Sequence, residues 1–286
     1  MSTSIQVGFD MGIRNLAYCV IEHNMDRWMV KAWDNVDLLE DGKSAQDAKK
    51  CGACGAAAKW QGEGLKWCNS CATGVRRKKS VIQIPTLPTL PSSASAVKGM
   101  RTLAVEKGMP DGKKAKKDQL LDWLRTYYLM PWKPEKAGNV SLQVILRKMN
   151  TWLNSVLPTF ASASLIRLEN QPVMKGPTMK SVQIILFTLL THRLENEHGW
   201  RGSIEFVHAG VKTRGAVPAP APAPTTAPAA PITDGEAYKQ RKQTAESEVE
   251  RLLTEHGSGV APWLAFFKGR TKKSDLADAF LMAWRR

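Results

Sequence analysis

Asp10 closes the apolar run IQVGFD, Glu169 closes SLIRLE, and Asp275 and Asp278 stand three residues apart in KKSDLADAF. The first two end strand-like runs, where a core-facing carboxylate is costly to bury without a partner, and a bound cation supplies one. On a helix, a spacing of three puts Asp275 and Asp278 on one face. Three separate segments thus offer four carboxylates, an all-oxygen donor set that suits a hard divalent ion such as Mg2+ or Mn2+. The chemistry such a set supports is phosphodiester hydrolysis, with two ions about 4 Å apart, one activating water and the other stabilising the leaving oxygen. No Ser-His-Asp or Cys-His nucleophile arrangement accompanies them. Each acid alone has an ordinary reading: Asp10 as a turn former ahead of Met11-Gly12, Glu169 as a strand-end surface residue, and the Asp275/Asp278 pair as favourable charge at a helix amino terminus. It is the four together that point to a site.

A second ligand set has different chemistry. Cys51, Cys54, Cys68 and Cys71 form C-x2-C-x13-C-x2-C, in which each close pair offers two thiolates to one tetrahedral ion and the intervening loop closes a ribbon. The spacing predicts structural Zn2+. Two disulfides are the alternative, and they would need an oxidising compartment. Cys19, inside LAYCVI, reads as a small buried hydrophobe. His192, His198, His208 and His256 share no ligand spacing and read as structural or surface residues.

These groups need a scaffold. Alternation at Ile5, Val7 and Phe9 predicts a strand, Gly12 permits the turn, Leu16–Ile21 returns as a hairpin partner, and Trp28–Trp33 supplies a third strand. Apolar residues at helical spacing from Leu142 to Val156 predict an amphipathic helix covering the sheet. Strands follow at Leu165–Glu169 and Ile204–Val207, separated by an apolar helix over Met179–Glu197. Helices are also expected over Asp118–Leu129, Ala237–Glu255 and Ser274–Trp284, the last with Ser274 as N-cap and with Leu276, Ala279, Phe280 and Ala283 on its buried face. The expected fold is α/β, a central mixed five-stranded sheet flanked by helices with an inserted zinc ribbon. Residues 1–47 and 118–286 are assigned to the core, 48–75 to the ribbon, 76–117 to a basic flexible arm rich in Pro, Ser and Lys, and 215–233 to a Pro/Ala-rich linker.

The chain of 286 residues carries a formal net charge of +15, which predicts an anionic partner. Its most apolar stretch, Val182–Leu190, is too short to span a bilayer, so nucleic acid is favoured over membrane. The expected phosphate contacts are Arg76, Arg77, Lys78 and Lys79; Lys113, Lys114, Lys116 and Lys117; and Lys239, Lys242, Lys272 and Lys273, with Arg241 beside them. Strand pattern begins by Ile5, which leaves no room for a secretory signal or presequence and predicts a cytoplasmic or nuclear protein.

The segments GFDMGIRNLAYCVIE, IRLENQP and KKSDLADAFL resemble the three acidic motifs of RuvC-like Holliday junction resolvases, most closely the branch of poxviruses, other large DNA viruses and fungal mitochondria. The resemblance covers roughly residues 4–23, 139–209 and 236–284. It implies a ribonuclease H-like fold and a homodimeric, Mg2+-dependent endonuclease that cuts four-way DNA junctions by paired symmetric nicks. By the same resemblance Asp10, Glu169, Asp275 and Asp278 hold the ions. Relatives often carry Asp-Asp where this chain has Ser274-Asp275, so the metal role goes to Asp275. A mitochondrial member would need a presequence, which tilts the expectation towards a viral enzyme. Two other classes stand beside it: an RNA-guided or transposon-type RuvC-like nuclease, whose cysteine ribbon lies between the second and third acidic motifs rather than the first and second, and a non-catalytic nucleic-acid-binding protein.

Overall fold

The computed structural model describes residues 3–25, 27–74, 85–173, 177–208, 234–256 and 260–285. The first part of the chain contains β1 (Thr3–Asp10), β2 (Leu16–Asn24), β3 (Arg27–Asp37), β4 (Lys43–Ser44), β5 (Trp60–Gly62), β6 (Leu65–Trp67), α1 (Asn69–Ala72), α2 (Val97–Glu106), α3 (Lys117–Leu124) and β7 (Met130–Pro131). It continues through α4 (Leu142–Phe160), β8 (Leu165–Glu169), α5 (Pro177–His198), β9 (Ser203–Val207), α6 (Asp234–Glu255), α7 (Ala261–Lys268) and α8 (Lys273–Trp284). Two compact units result, one from residues 1–45 and 137–286 and one from 46–136.

The larger unit is a mixed α/β structure. Its sheet has the order β4-β3-β2-β1-β8-β9, with β1 to β4 antiparallel neighbours and β1, β8 and β9 parallel. Five strands were expected; the sixth is β4, whose two residues are too few to leave an alternating pattern. On one face Val7, Phe9, Ile166 and Leu168 pack with Ile145, Met149 and Phe160 of α4 and Val182, Leu186 and Leu190 of α5. On the other, Ala17, Cys19, Ile21 and Trp33 pack with Val249 and Leu253 of α6, Phe267 of α7, and Leu276 and Phe280 of α8. Alternation makes this possible, since successive residues of a strand point to opposite faces. Short, apolar α7 lies where no helix was expected.

The smaller unit differs most from expectation. Its sheet has the order β6-β5-β7, so Met130 pairs with Gln61 and residues 118–136, expected in the α/β core, belong with the ribbon instead. The described part of the expected flexible arm is folded. There α2 and α3 pack around Leu90, Ala94, Met100, Ala104, Ala115, Leu120, Leu124, Tyr128 and Met130. The helix expected over Asp118–Leu129 stops at Leu124 and turns into β7. Arg76, Arg77, Lys78 and Lys79, and the Pro/Ala-rich linker 215–233, lie outside the described residues. Among the described residues, no helix is long and apolar enough to cross a membrane.

Candidate metal and nucleic-acid site

The first carboxylate is placed by β1. Gln6, Gly8 and Asp10 share one face of this strand, and at Gly8 that face meets α8 so closely that a Cβ would lie 2.2 Å from the Ala279 carbonyl oxygen. Only glycine lets helix and strand backbones approach this far. In the parallel pair of β1 and β8, Gly8 stands opposite Arg167 and Phe9 opposite Leu168, so extending the register by one residue sets Asp10 beside Glu169. Arg167, in phase with Glu169, donates to the Met282 carbonyl at 2.9 Å and to Gln6 Oε1 at 2.7 Å, which ties β8 to α8 and β1. From these neighbouring strand ends the chain leaves towards opposite sides of the sheet, β2 on one and β9 on the other, the place where open α/β sheets collect their ligands.

The other two acids come from α8. Its buried residues Leu276, Ala279, Phe280 and Ala283 seat it on the sheet, and Trp33 Nε1 donates to the Leu276 carbonyl at 3.1 Å near the helix start. Asp275 and Asp278 remain on the partly open side. Ser274 is not the N-cap: Lys272 precedes the helix, and buried Ser274 instead donates to Asp275 Oδ1 at 3.1 Å and accepts from Lys242 Nζ at 3.2 Å.

All four acids line one cleft of about 430 Å³, together with Met11, Gly12, Asn15, Gln171, Tyr238, Arg241 and Lys242. Lys242 Nζ lies 3.9 Å from Asp275 Oδ1 and 4.8 Å from the centre of the Tyr238 ring. Burial pulls the Lys242 ammonium down, but its hydrogen bond with Tyr238 and the charges of Asp275 and Asp278 outweigh this and hold it above its ordinary value. It is therefore a cation at neutral pH. The loop after Asp10 is clamped from outside: Arg14 Nη1 donates to buried Asp37 Oδ2 at 2.6 Å, and the Leu38 N–H donates to the Ile13 carbonyl at 3.0 Å.

Sequence reasoning missed the neutral lining. Gln171 Nε2 donates to Glu169 Oε2 at 2.9 Å, while the Gln171 N–H donates to Oε1 of fully buried Gln183 at 3.2 Å. Asn15 Oδ1 is buried without a hydrogen-bond partner among the described residues. Of the expected phosphate contacts, Lys242 and Arg241 line the cleft. Lys239 and Lys272 are exposed and do not line it, and Lys273 lies 3.5 Å from Glu250. Lys113, Lys114, Lys116 and Lys117 belong to the smaller unit.

Four carboxylates with no competing nitrogen or sulfur donor fit a hard divalent ion. Their oxygens line a wider space than the cysteine site: among the described residues, the only group of three or more His, Cys, Asp or Glu whose ligand atoms all lie within 4.8 Å of one another is Cys51, Cys54, Cys68 and Cys71. Cys54 and Cys68 sulfurs are 3.6 Å apart, close to the roughly 3.8 Å edge of a tetrahedron with metal–sulfur bonds of about 2.3 Å. The Ala56 backbone N–H brings the Cys54 thiol down to about 7, whereas burial pushes Cys71 well up. Four thiolates there need a cation, and the cluster suits zinc.

No family model and no curated protein matches the sequence. Among solved structures, the yeast mitochondrial Holliday junction resolvase is similar at a TM-score of 0.40 and 12% identity, over 98% of this chain and 77% of that one.

Proposed function

We propose that this chain is a Mg2+- or Mn2+-dependent endodeoxyribonuclease of ribonuclease H-like architecture that resolves four-way DNA junctions. The observation that carries the reading is the single cleft that collects Asp10, Glu169, Asp275 and Asp278 from two strand ends and a helix, with Arg241 and Lys242 on its wall. Junction preference rests on the motif resemblance, since cationic charge gives affinity for any nucleic acid without choosing a shape.

Asp10, Glu169, Asp275 and Asp278 would hold the ions. When bound, a pair of divalent ions would supply an activated water and neutralise the leaving oxygen. Lys242 is held by Asp275, Ser274 and Tyr238 with its charge facing the cleft, where a cation favours the negative charge that develops on a phosphate under attack. Gln171 fixes one oxygen of Glu169 and so sets the orientation of that carboxylate in the cleft. Paired nicks on opposed strands require two such clefts, and a second copy of the chain supplies the second.

Nicking of a four-way junction, a flap and a linear duplex of the same sequence, in Mg2+, tests the reading. The expected result is cleavage of the junction at two symmetric positions and little of the linear duplex. Equal cleavage of all three would remove junction selectivity, and no cleavage of any would remove the nuclease.

A further inference from the structure

The chain's charge is unevenly divided. Residues 46–136 hold 18 of the 41 Lys and Arg but only 7 of the 26 Asp and Glu, a formal +11 of the total +15, whereas the longer unit with the carboxylate cleft keeps +4. A divalent ion on four thiolates would subtract only two of these charges. Much of the excess sits in one short turn. Lys113, Lys114, Lys116 and Lys117 are all exposed and flank buried Ala115.

The turn is built rather than loose. The Lys114 and Ala115 N–H groups donate to the Asp111 carbonyl at 2.9 and 3.1 Å, and the Lys116 N–H donates to Gln119 Oε1 at 2.8 Å. Arg101 Nη2 reaches the Ala115 carbonyl at 3.4 Å, which brings a fifth cation beside the four. A fixed backbone presenting several cations loses little conformational freedom when it meets a polyanion.

We propose that residues 46–136 are a duplex-DNA anchor, which grips the phosphate backbone through this lysine turn at a site made of different residues from the cleft; the proposal rests on the reading of the chain as a DNA nuclease. Single-strand binders add aromatic platforms on which bases stack. In this unit Trp67 is fully buried, Trp60 and Trp123 pack against the α2–α3 core, and Lys66 lies 4.4 Å over the ring of Trp132. Among its described residues, the large hydrophobics left exposed are Val105 and Tyr127. Abundant backbone charge with a single exposed ring among the described residues, Tyr127, suits a duplex, whose bases are already stacked, better than a single strand. The anchor raises affinity for any duplex arm and leaves the choice of a junction to the rest of the chain.

The test is the salt dependence of duplex binding by the full chain in Ca2+, for wild type, a Lys113/Lys114/Lys116/Lys117→Gln variant and the matching →Arg variant. Zinc content and thermal melting report whether each is folded. Each lost phosphate contact lowers the log–log slope by about 0.9, so the Gln variant is expected to lose about 3.6 and the Arg variant almost nothing. If the fourfold Gln variant fails to fold, Lys113/Lys114→Gln alone is expected to lose about 1.8. An unchanged slope in a folded Gln variant overturns the anchor, as does tighter binding of a single strand or an RNA duplex of the same length. Junction nicking at saturating protein, measured on the same samples, separates the two ideas. A slope loss without nicking by wild type retains the anchor and sinks the nuclease; nicking with an unchanged slope does the reverse.

Discussion

Glu169 reaches the cleft from a strand end, but an amide two residues on sets how it is turned. Gln171 binds one Glu169 oxygen and is itself held by buried Gln183, so the three form a chain from the core to the site. Partners behind a metal ligand are typically worth 10- to 100-fold in metal affinity. Gln171→Leu is therefore expected to raise the Mg2+ concentration for half-maximal nicking about 10-fold or more, with thermal stability close to wild type. An unchanged Mg2+ requirement would remove Gln171 from the site. Asp10 and Glu169 stand out in the sequence because a carboxylate at the end of an apolar run is anomalous, and Asp275 and Asp278 because a spacing of three puts them on one helix face. Gln171, Asn15 and Tyr238 do not, since a neutral polar residue in a loop or on a charged helix costs nothing by itself. Ser274 was misread for a related reason: capping preference is local, whereas its contact with Lys242 joins α8 to α6 across 32 positions.

At the scale of elements, the site depends on how closely α8 lies on β1. Gly8→Ala would set a Cβ 2.2 Å from the Ala279 carbonyl oxygen and 2.7 Å from the Ala283 nitrogen, both backbone atoms that cannot step aside. Overpacking of this kind costs about 1–3 kcal/mol, so the variant should melt several degrees lower and nick more slowly even at saturating Mg2+. Wild-type melting and nicking would mean that α8 does not depend on this contact. In the smaller unit, Cys51→Ser with Cys54→Ser is expected to release one zinc per chain and expose the amides of residues 51–74 to hydrogen exchange, with those of β1 and β8 remaining protected. Native protein that contains no zinc by elemental analysis would defeat the assignment. Elements with a clear period or a long apolar run were legible: β8 was read at its observed bounds and α4, α5 and α8 within a few residues. The folded part of 76–117 was not, because its buried positions, Leu90, Ala94, Met100, Ala104 and Ala115, are mostly small or flexible residues scattered through Pro, Ser and Lys. The pairing of Met130 with Gln61 is a contact across 69 positions with no local signature.

At the scale of the whole molecule, binding and chemistry should separate, because most of the net charge lies in residues 46–136 and the four acids lie in the other unit. Ca2+ is expected to support junction binding with little nicking, since its longer and looser coordination suits the transition state poorly. Equal nicking rates in Ca2+ and Mg2+ would contradict the two-ion proposal. The most direct measurement is single-turnover nicking of a four-way junction in Mg2+ by Asp10→Asn, Glu169→Gln, Asp275→Asn and Asp278→Asn, alongside junction affinity of the same proteins. Each variant is expected to lose at least about 1,000-fold in rate, roughly 4 kcal/mol of transition-state stabilisation, while binding the junction as well as wild type. Wild-type turnover by any one of the four would take that residue out of the site, and wild-type turnover by all four would contradict the carboxylate cleft as the centre of cleavage.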